Sequence, residues 1–344
     1  MVEQPRHALR RCPLLYYRRP IVSGIICHML TQLSSPLTPL LRQQGFVLLD
    51  GGLATELEAR GHDLRDALWS ARLLRDDPAG IQQLHTDYLA AGADCIITAS
   101  YQATIPGFVQ YGLPEAEAVA LLERAVRLGQ AARDAFWADE GHRPGRGRPL
   151  VAASIGPYGA YLADGAEYRG DYALDEAGLV DFHRRRWHIL AGCRPDLLAC
   201  ETIPSAAEAR ALCRLLPETP QLSAWFSFSC RDGGHISDGT PLAEAVLPLL
   251  GVPQVAAIGI NCTAPGHIPA LIAALAPLTD KPIVVYPNSG EGHDAARQCW
   301  TGLASPVDFG LACRDWYAAG ARLIGGCCRT RPGHIRQMRQ ALLG

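Results

Sequence analysis

Three cysteines stand apart in this chain. Cys262 sits in GINCTAP, and Cys327 and Cys328 are adjacent in IGGCCRTRPGHI, 65 residues further on. Three thiolates make a natural Zn2+ site with the fourth tetrahedral position open, the arrangement of a catalytic rather than a structural zinc. Adjacent cysteines ligate one ion if the backbone turns sharply, and Gly325-Gly326 offers the freedom for such a turn. On spacing alone two other readings stay open: a small-residue strand end with inert thiols, and a strained vicinal disulfide. A three-thiolate shell makes zinc a poor source of hydroxide and suits an incoming thiol, which loses its proton yet stays nucleophilic. The chemistry implied is alkyl transfer to sulfur.

Two acids belong beside them. Asp50 in LLDGG and Glu201 in ACETIP each close an apolar run. Together at one rim they would hold the ammonium group of an amino-acid substrate. Taken singly, Asp50 also reads as a turn residue before Gly51-Gly52, and Glu201 as an acid favoured at a helix N-terminus.

The elements that must position these groups repeat from Gln44 onward. Strands are expected at 46–50, 94–99, 150–154, 197–201, 222–228, 256–261, 282–286 and 322–326. They are near-continuous apolar runs without strict alternation, as in parallel strands buried on both faces. Amphipathic or Ala/Leu-rich stretches lie between them, for example 114–136 and 175–193, and Pro114, Pro241, Pro306 and Pro332 mark helix starts. Eight such units predict an α/β fold, a (β/α)8 TIM barrel with its active site at the C-terminal ends of the strands. An open doubly wound sheet is the alternative, but no Gly-rich dinucleotide fingerprint follows the first strand. The rim would then carry Asp50, Ser100, Tyr101, Gln102, Glu201, Asn261, Cys262, Tyr286, Asn288, Cys327 and Cys328.

Composition narrows the function classes. With 48% hydrophobic and 19% charged residues the chain can bury a sizeable core. A net charge of −2 without a basic, aromatic-interleaved stripe argues against nucleic-acid binding. No run approaches the ~18 apolar residues of a membrane helix. Most of the twelve cysteines, such as Cys95 and Cys200, lie in apolar stretches and read as small buried hydrophobes, which favours the reducing cytoplasm. Residues 1–40, Arg-rich and then briefly apolar, read as a dispensable or mis-started extension, with the barrel domain at 41–344.

From about residue 44 to its end the chain resembles the homocysteine S-methyltransferase family, most closely the branch that uses S-methylmethionine. The resemblance is carried by LLDGGLATELEARGHDL, ITASYQATIPGF, SIGPYGAYLADGAEYRGDY, ACETIPS, SFSCRDGGHISDGTP, GINCTAP, YPNSGE and IGGCCRTRPGHI. It implies one zinc per chain on Cys262, Cys327 and Cys328, with Asp50 and Glu201 holding the homocysteine amino-acid moiety. Ser100 and Gln102 would line the donor side, and Tyr286 and Asn288 would belong to the substrate site. The implied partners are homocysteine and a sulfonium methyl donor, S-methylmethionine before S-adenosylmethionine, in a monomer or small homo-oligomer. Selenocysteine or another thiol or selenol as acceptor, and a non-catalytic zinc barrel, are the alternatives. No counterpart is expected for the oligomerisation arm of betaine-using relatives or for the folate and cobalamin domains of the large methionine synthases.

Overall fold

The apolar runs form eight parallel strands: β1 (Val47–Leu48), β2 (Cys95–Ile97), β3 (Leu150–Ile155), β4 (Leu197–Ile203), β5 (Ala224–Phe228), β6 (Val255–Asn261), β7 (Ile283–Tyr286) and β8 (Ala321–Ile324). The structure, a computed structural model, describes residues 35–64, 68–290, 292–294, 299–301 and 305–344. Each strand pairs with its neighbour in sequence, and β8 pairs with β1. A parallel bridge from Leu49 to Cys95, with the Asp94 amide donating to Leu48 O at 2.6 Å, joins β1 to β2 and closes the ring. The expected (β/α)8 barrel is the observed one.

Alternation along the strands builds two cores. Val47, Leu49, Ala152, Ala199, Trp225, Ala257, Val284, Tyr286 and Leu323 fill the barrel interior. The residues between them, among them Leu48, Ala153, Leu198, Phe226, Ile258, Val285 and Ile324, pack outward against the helices. Trp225 and Tyr286 fit inside because their neighbours are small. A Cβ on Gly259 would stand 1.8 Å from Val284 O.

Helices begin where the sequence signals them. Pro114 and Pro241 precede Glu115–Ala138 and Leu242–Leu250, while Pro306 and Pro332 open Pro306–Ala319 and Pro332–Leu343. Asp77, Asp175 and Ser205 cap the helices that follow them through their side chains. A short antiparallel ribbon, Gly292–Asp294 with Cys299–Thr301, lies in the connection after β7.

The boundary expected at residue 40 moves. Residues 1–34 of the supposed extension lie outside the described residues. Leu37 and Leu40, however, are buried in the interior cluster with Val47 and Leu323, beside the helix Thr38–Gln44. That helix belongs to the barrel, because its leucines supply part of the apolar filling of the interior.

Candidate functional site

A cavity of about 360 Å3 opens at the C-terminal ends of the strands. Cys262 enters from the end of β6, and Cys327 and Cys328 follow β8. Their three sulfurs all lie within 4.8 Å of one another, with Cys262 and Cys328 3.5 Å apart. Cys262 is held at φ 48° and its amide donates to Tyr286 O at 3.1 Å. The Cys327 amide donates to Pro287 O at 2.7 Å, and the Ser289 amide to Cys328 O at 3.0 Å.

The turn after β8 does not use its glycines as expected. Neither Gly325 nor Gly326 has a positive φ; the left-handed residue is Arg329, at 67°. The glycines serve close approach instead: a Cβ would lie 2.6 Å from Leu49 Cβ at Gly325 and 2.3 Å from Thr330 Oγ1 at Gly326. Thr330 completes the turn, its hydroxyl and its amide donating to Cys327 O at 2.7 and 3.1 Å.

Three thiols this close cannot all ionise without a cation among them. Hydrogen bonds from Cys262 and Cys327 hold Cys328 well below the usual thiol range, while Cys262 and Cys328 push Cys327 up. That clustered donor set, with Cys262 buried and Cys327 and Cys328 half-buried, fits a soft or borderline dication.

Glu201 and Asp50 line the same cavity, both buried. Glu201 accepts from the Ser154 hydroxyl on one oxygen and from the Tyr286 hydroxyl, at 3.1 Å, on the other. Tyr286 is aimed by Trp225, whose indole N–H donates to its hydroxyl at 3.0 Å, and by Ser227 at 2.6 Å. Burial pushes Glu201 up to about 7 against those hydrogen bonds. Burial also raises Asp50 well above the carboxylate range, partly offset by the Ile97 amide, which donates to it at 2.9 Å, with Glu201 raising it further. Two neighbouring acids strained in this way favour a positively charged guest.

The family model described as Homocysteine S-methyltransferase matches residues 47–342. The chain belongs to that family. The homocysteine S-methyltransferase YbgG of Bacillus subtilis (strain 168) is 53% identical over 304 residues, covering 88% of this chain and 96% of that protein. The crystal structure of the homocysteine methyltransferase MmuM from Escherichia coli in its metallated form is 50% identical, with a TM-score of 0.79 over 89% of this chain and 99% of that one. The oxidized form of the same enzyme matches with the same values.

Not every rim residue of this methyltransferase-family barrel faces the cavity. Gln102 lines it, with its amide donating to Ala160 O at 3.1 Å and its Oε1 buried without a partner among the described residues. Tyr286 lines it through the hydroxyl described above. Ser100 does not. It is fully buried beneath the rim, its hydroxyl donating to Ser154 O at 2.7 Å and lying 2.8 Å from Thr98 Oγ1, so Thr98 and Tyr101 supply that wall. Asn288 is also off the wall: its Oδ1 accepts from the Gly290 amide at 2.9 Å, the turn that Pro-Asn-Ser-Gly favours.

Three residues, Thr202, Glu167 and Tyr168, were given no role from the sequence. Glu201 and Thr202 form a one-residue bulge, since Cys200 pairs with Phe226 but Ile203 with Phe228. Thr202 sits at φ 58°, and Asn261 clamps it, accepting from its amide and donating to its hydroxyl, both at 2.7 Å. Glu167 and Tyr168 reach the mouth from far along the loop after β3. Tyr168 is an exposed residue, 47% accessible, yet its hydroxyl lies 3.0 Å from the Cys262 sulfur. The motif containing this pair was legible, but rules confined to strand ends pass over it.

Proposed function

We propose that this barrel is a zinc-dependent homocysteine S-methyltransferase that takes its methyl group from S-methylmethionine, and less well from S-adenosylmethionine. The observation that carries the reading is one cavity holding three converging cysteine sulfurs and three carboxylates, Asp50, Glu167 and Glu201, with no basic side chain among the described lining residues. Such a wall favours cationic guests and opposes an anionic folate donor. Cys262, Cys327 and Cys328 would hold the zinc, and the metallated form of the Escherichia coli relative supports a metal there.

Asp50 and Glu201 bind the homocysteine ammonium, with Glu201 oriented by Ser154 and Tyr286. Bound zinc supplies a Lewis acid that favours the acceptor thiolate while leaving its sulfur nucleophilic. The thiolate lone pair forms the new bond to the methyl carbon, and the bond from that carbon to the sulfonium breaks. Its electron pair stays on the departing sulfur, which leaves as a neutral thioether. With S-methylmethionine both products are methionine. Charge is neutralised along the path, so no base is needed at the methyl group, and the cavity has only to align sulfur, carbon and sulfur.

The test compares kcat/KM for S-methylmethionine, S-adenosylmethionine, betaine and methyltetrahydrofolate with homocysteine as acceptor. The expected order places S-methylmethionine first. A preference for betaine or the folate would overturn the donor assignment.

A further inference from the structure

The loop over the sulfurs contains a carboxylate that the acceptor does not need. Glu167 lines the cavity, and its Oε2 is buried with no partner among the described residues. The adjacent guanidinium is occupied elsewhere: Arg169 donates to Asp164 O at 3.0 Å and to Asp171 Oδ1 at 3.1 Å. An unpaired buried carboxylate oxygen is costly, and it is retained where a cation arrives to pair with it.

The loop is held in place. The Ser229 hydroxyl donates to Glu167 O at 3.0 Å, and the Gly170 amide to Ala166 O at 2.8 Å. Gly159 leaves room for it, since a Cβ there would stand 2.4 Å from the Glu167 amide nitrogen. Next to Glu167, the half-exposed Tyr168 lines the cavity with its hydroxyl 3.0 Å from the Cys262 sulfur. Both side chains therefore line the cavity that also holds the three sulfurs.

Counting charges separates the two substrates. Homocysteine brings one ammonium, for which Asp50 and Glu201 are already arranged by hydrogen bonds. S-methylmethionine brings two positive groups, an ammonium and a sulfonium. Burial raises Glu167 above the ordinary carboxylate range, Asp164 and Cys328 raise it further and Arg169 lowers it, so a cation arriving beside it is favoured. The Glu167 Oε2, with no partner among the described residues, is available to the second guest.

We propose that Glu167 is the specificity-determining residue for the methyl donor, its free oxygen pairing with a positive group of the sulfonium amino acid while the Tyr168 ring packs against the sulfonium. This rests on the methyltransferase reading above. The group lost is a charged hydrogen bond, so Glu167→Gln raises the KM for S-methylmethionine by about tenfold to a hundredfold and leaves the KM for homocysteine unchanged. Calorimetric titration of S-methylmethionine into zinc-loaded protein without homocysteine shows the same weakening, and Glu167→Asp restores part of it. Dimethylpropylsulfonium, which lacks the amine, identifies the paired group. An unchanged penalty for this probe assigns the sulfonium, and a lost penalty assigns the ammonium. Wild-type binding of S-methylmethionine by Glu167→Gln, or an equal rise in both KM values, overturns the proposal. A wild-type protein that makes no methionine from any sulfonium donor would instead overturn the underlying reading.

Discussion

Replacing Asn261 with Ala tests the construction of the rim. The side chain is fully buried and makes two hydrogen bonds of 2.7 Å to Thr202, one to its amide and one to its hydroxyl. Each is worth about 1 kcal/mol net, and leaving the Thr202 amide buried without an acceptor adds roughly 1–3 kcal/mol. Thr202 is also β-branched at φ 58°, a conformation that persists only while its surroundings impose it. If the backbone relaxes out of that conformation, part of the hydrogen-bond loss is recovered. The net expectation is a destabilisation of about 2–4 kcal/mol. It is measured by urea unfolding of metal-free protein, as a fall in midpoint at constant m-value. Metal-free protein is used so that any loss of metal affinity at the neighbouring Cys262 does not enter. Thr202→Gly in the Asn261→Ala background should return part of the loss, because glycine occupies that φ without strain. A loss below about 0.5 kcal/mol, within the range of ordinary surface changes, would refute the clamp.

The other expectations concern metal, acceptor and acid. Cys262→Ala should lose its bound zinc, read by elemental analysis of purified protein, while circular dichroism still reports a folded barrel; full occupancy would remove Cys262 from the ligand set. Glu201→Gln should raise the homocysteine KM about tenfold to a hundredfold, the loss of a charge-assisted hydrogen bond. Unchanged values for both Glu201→Gln and Asp50→Asn would give these acids a structural role. His85 is buried in the helix Pro78–Ala91 with neither ring nitrogen partnered among the described residues, and burial lowers it to about 4. Unfolded, it takes up a proton near pH 6.5, so its contribution is intact above that pH and falls away as pH drops toward 4, by about 3 kcal/mol. His85→Leu should flatten that acid limb of stability, and superimposable limbs for variant and wild type would show that His85 does not carry it.

The barrel was legible because its strands are buried on both faces and so read as unbroken apolar runs, with proline and capping residues marking the helices. The cysteines and the acids Asp50 and Glu201 were legible because residue type and strand-end position coincide. What escaped depends on direction rather than identity. Ser100 stands at a strand end but turns beneath the rim to satisfy Ser154 O. The bulge at Glu201–Thr202 leaves no sequence signal, since nothing in ETIP announces that a threonine takes a left-handed conformation. Glu167 and Tyr168 reach the mouth only because their loop folds back, and local patterning does not specify that return. The glycines before Cys327 were correctly noticed and given the wrong reason: they make room for Leu49 and Thr330.

The Asn261 clamp also sets a length. Asn261 is bonded through its backbone to Cys262 and through its side chain to Thr202, the residue after Glu201. One rigid link therefore spaces the sulfur cluster from the carboxylate proposed to hold the amine. With both ends fixed, the cavity acts as a gauge for the acceptor, because a molecule must span from amine to sulfur to engage both. On that reading cysteine, one methylene shorter than homocysteine, would meet one end and fall short of the other. Selection of the acceptor would then depend on a spacing built into the barrel wall, with no side chain needed to recognise the extra methylene itself.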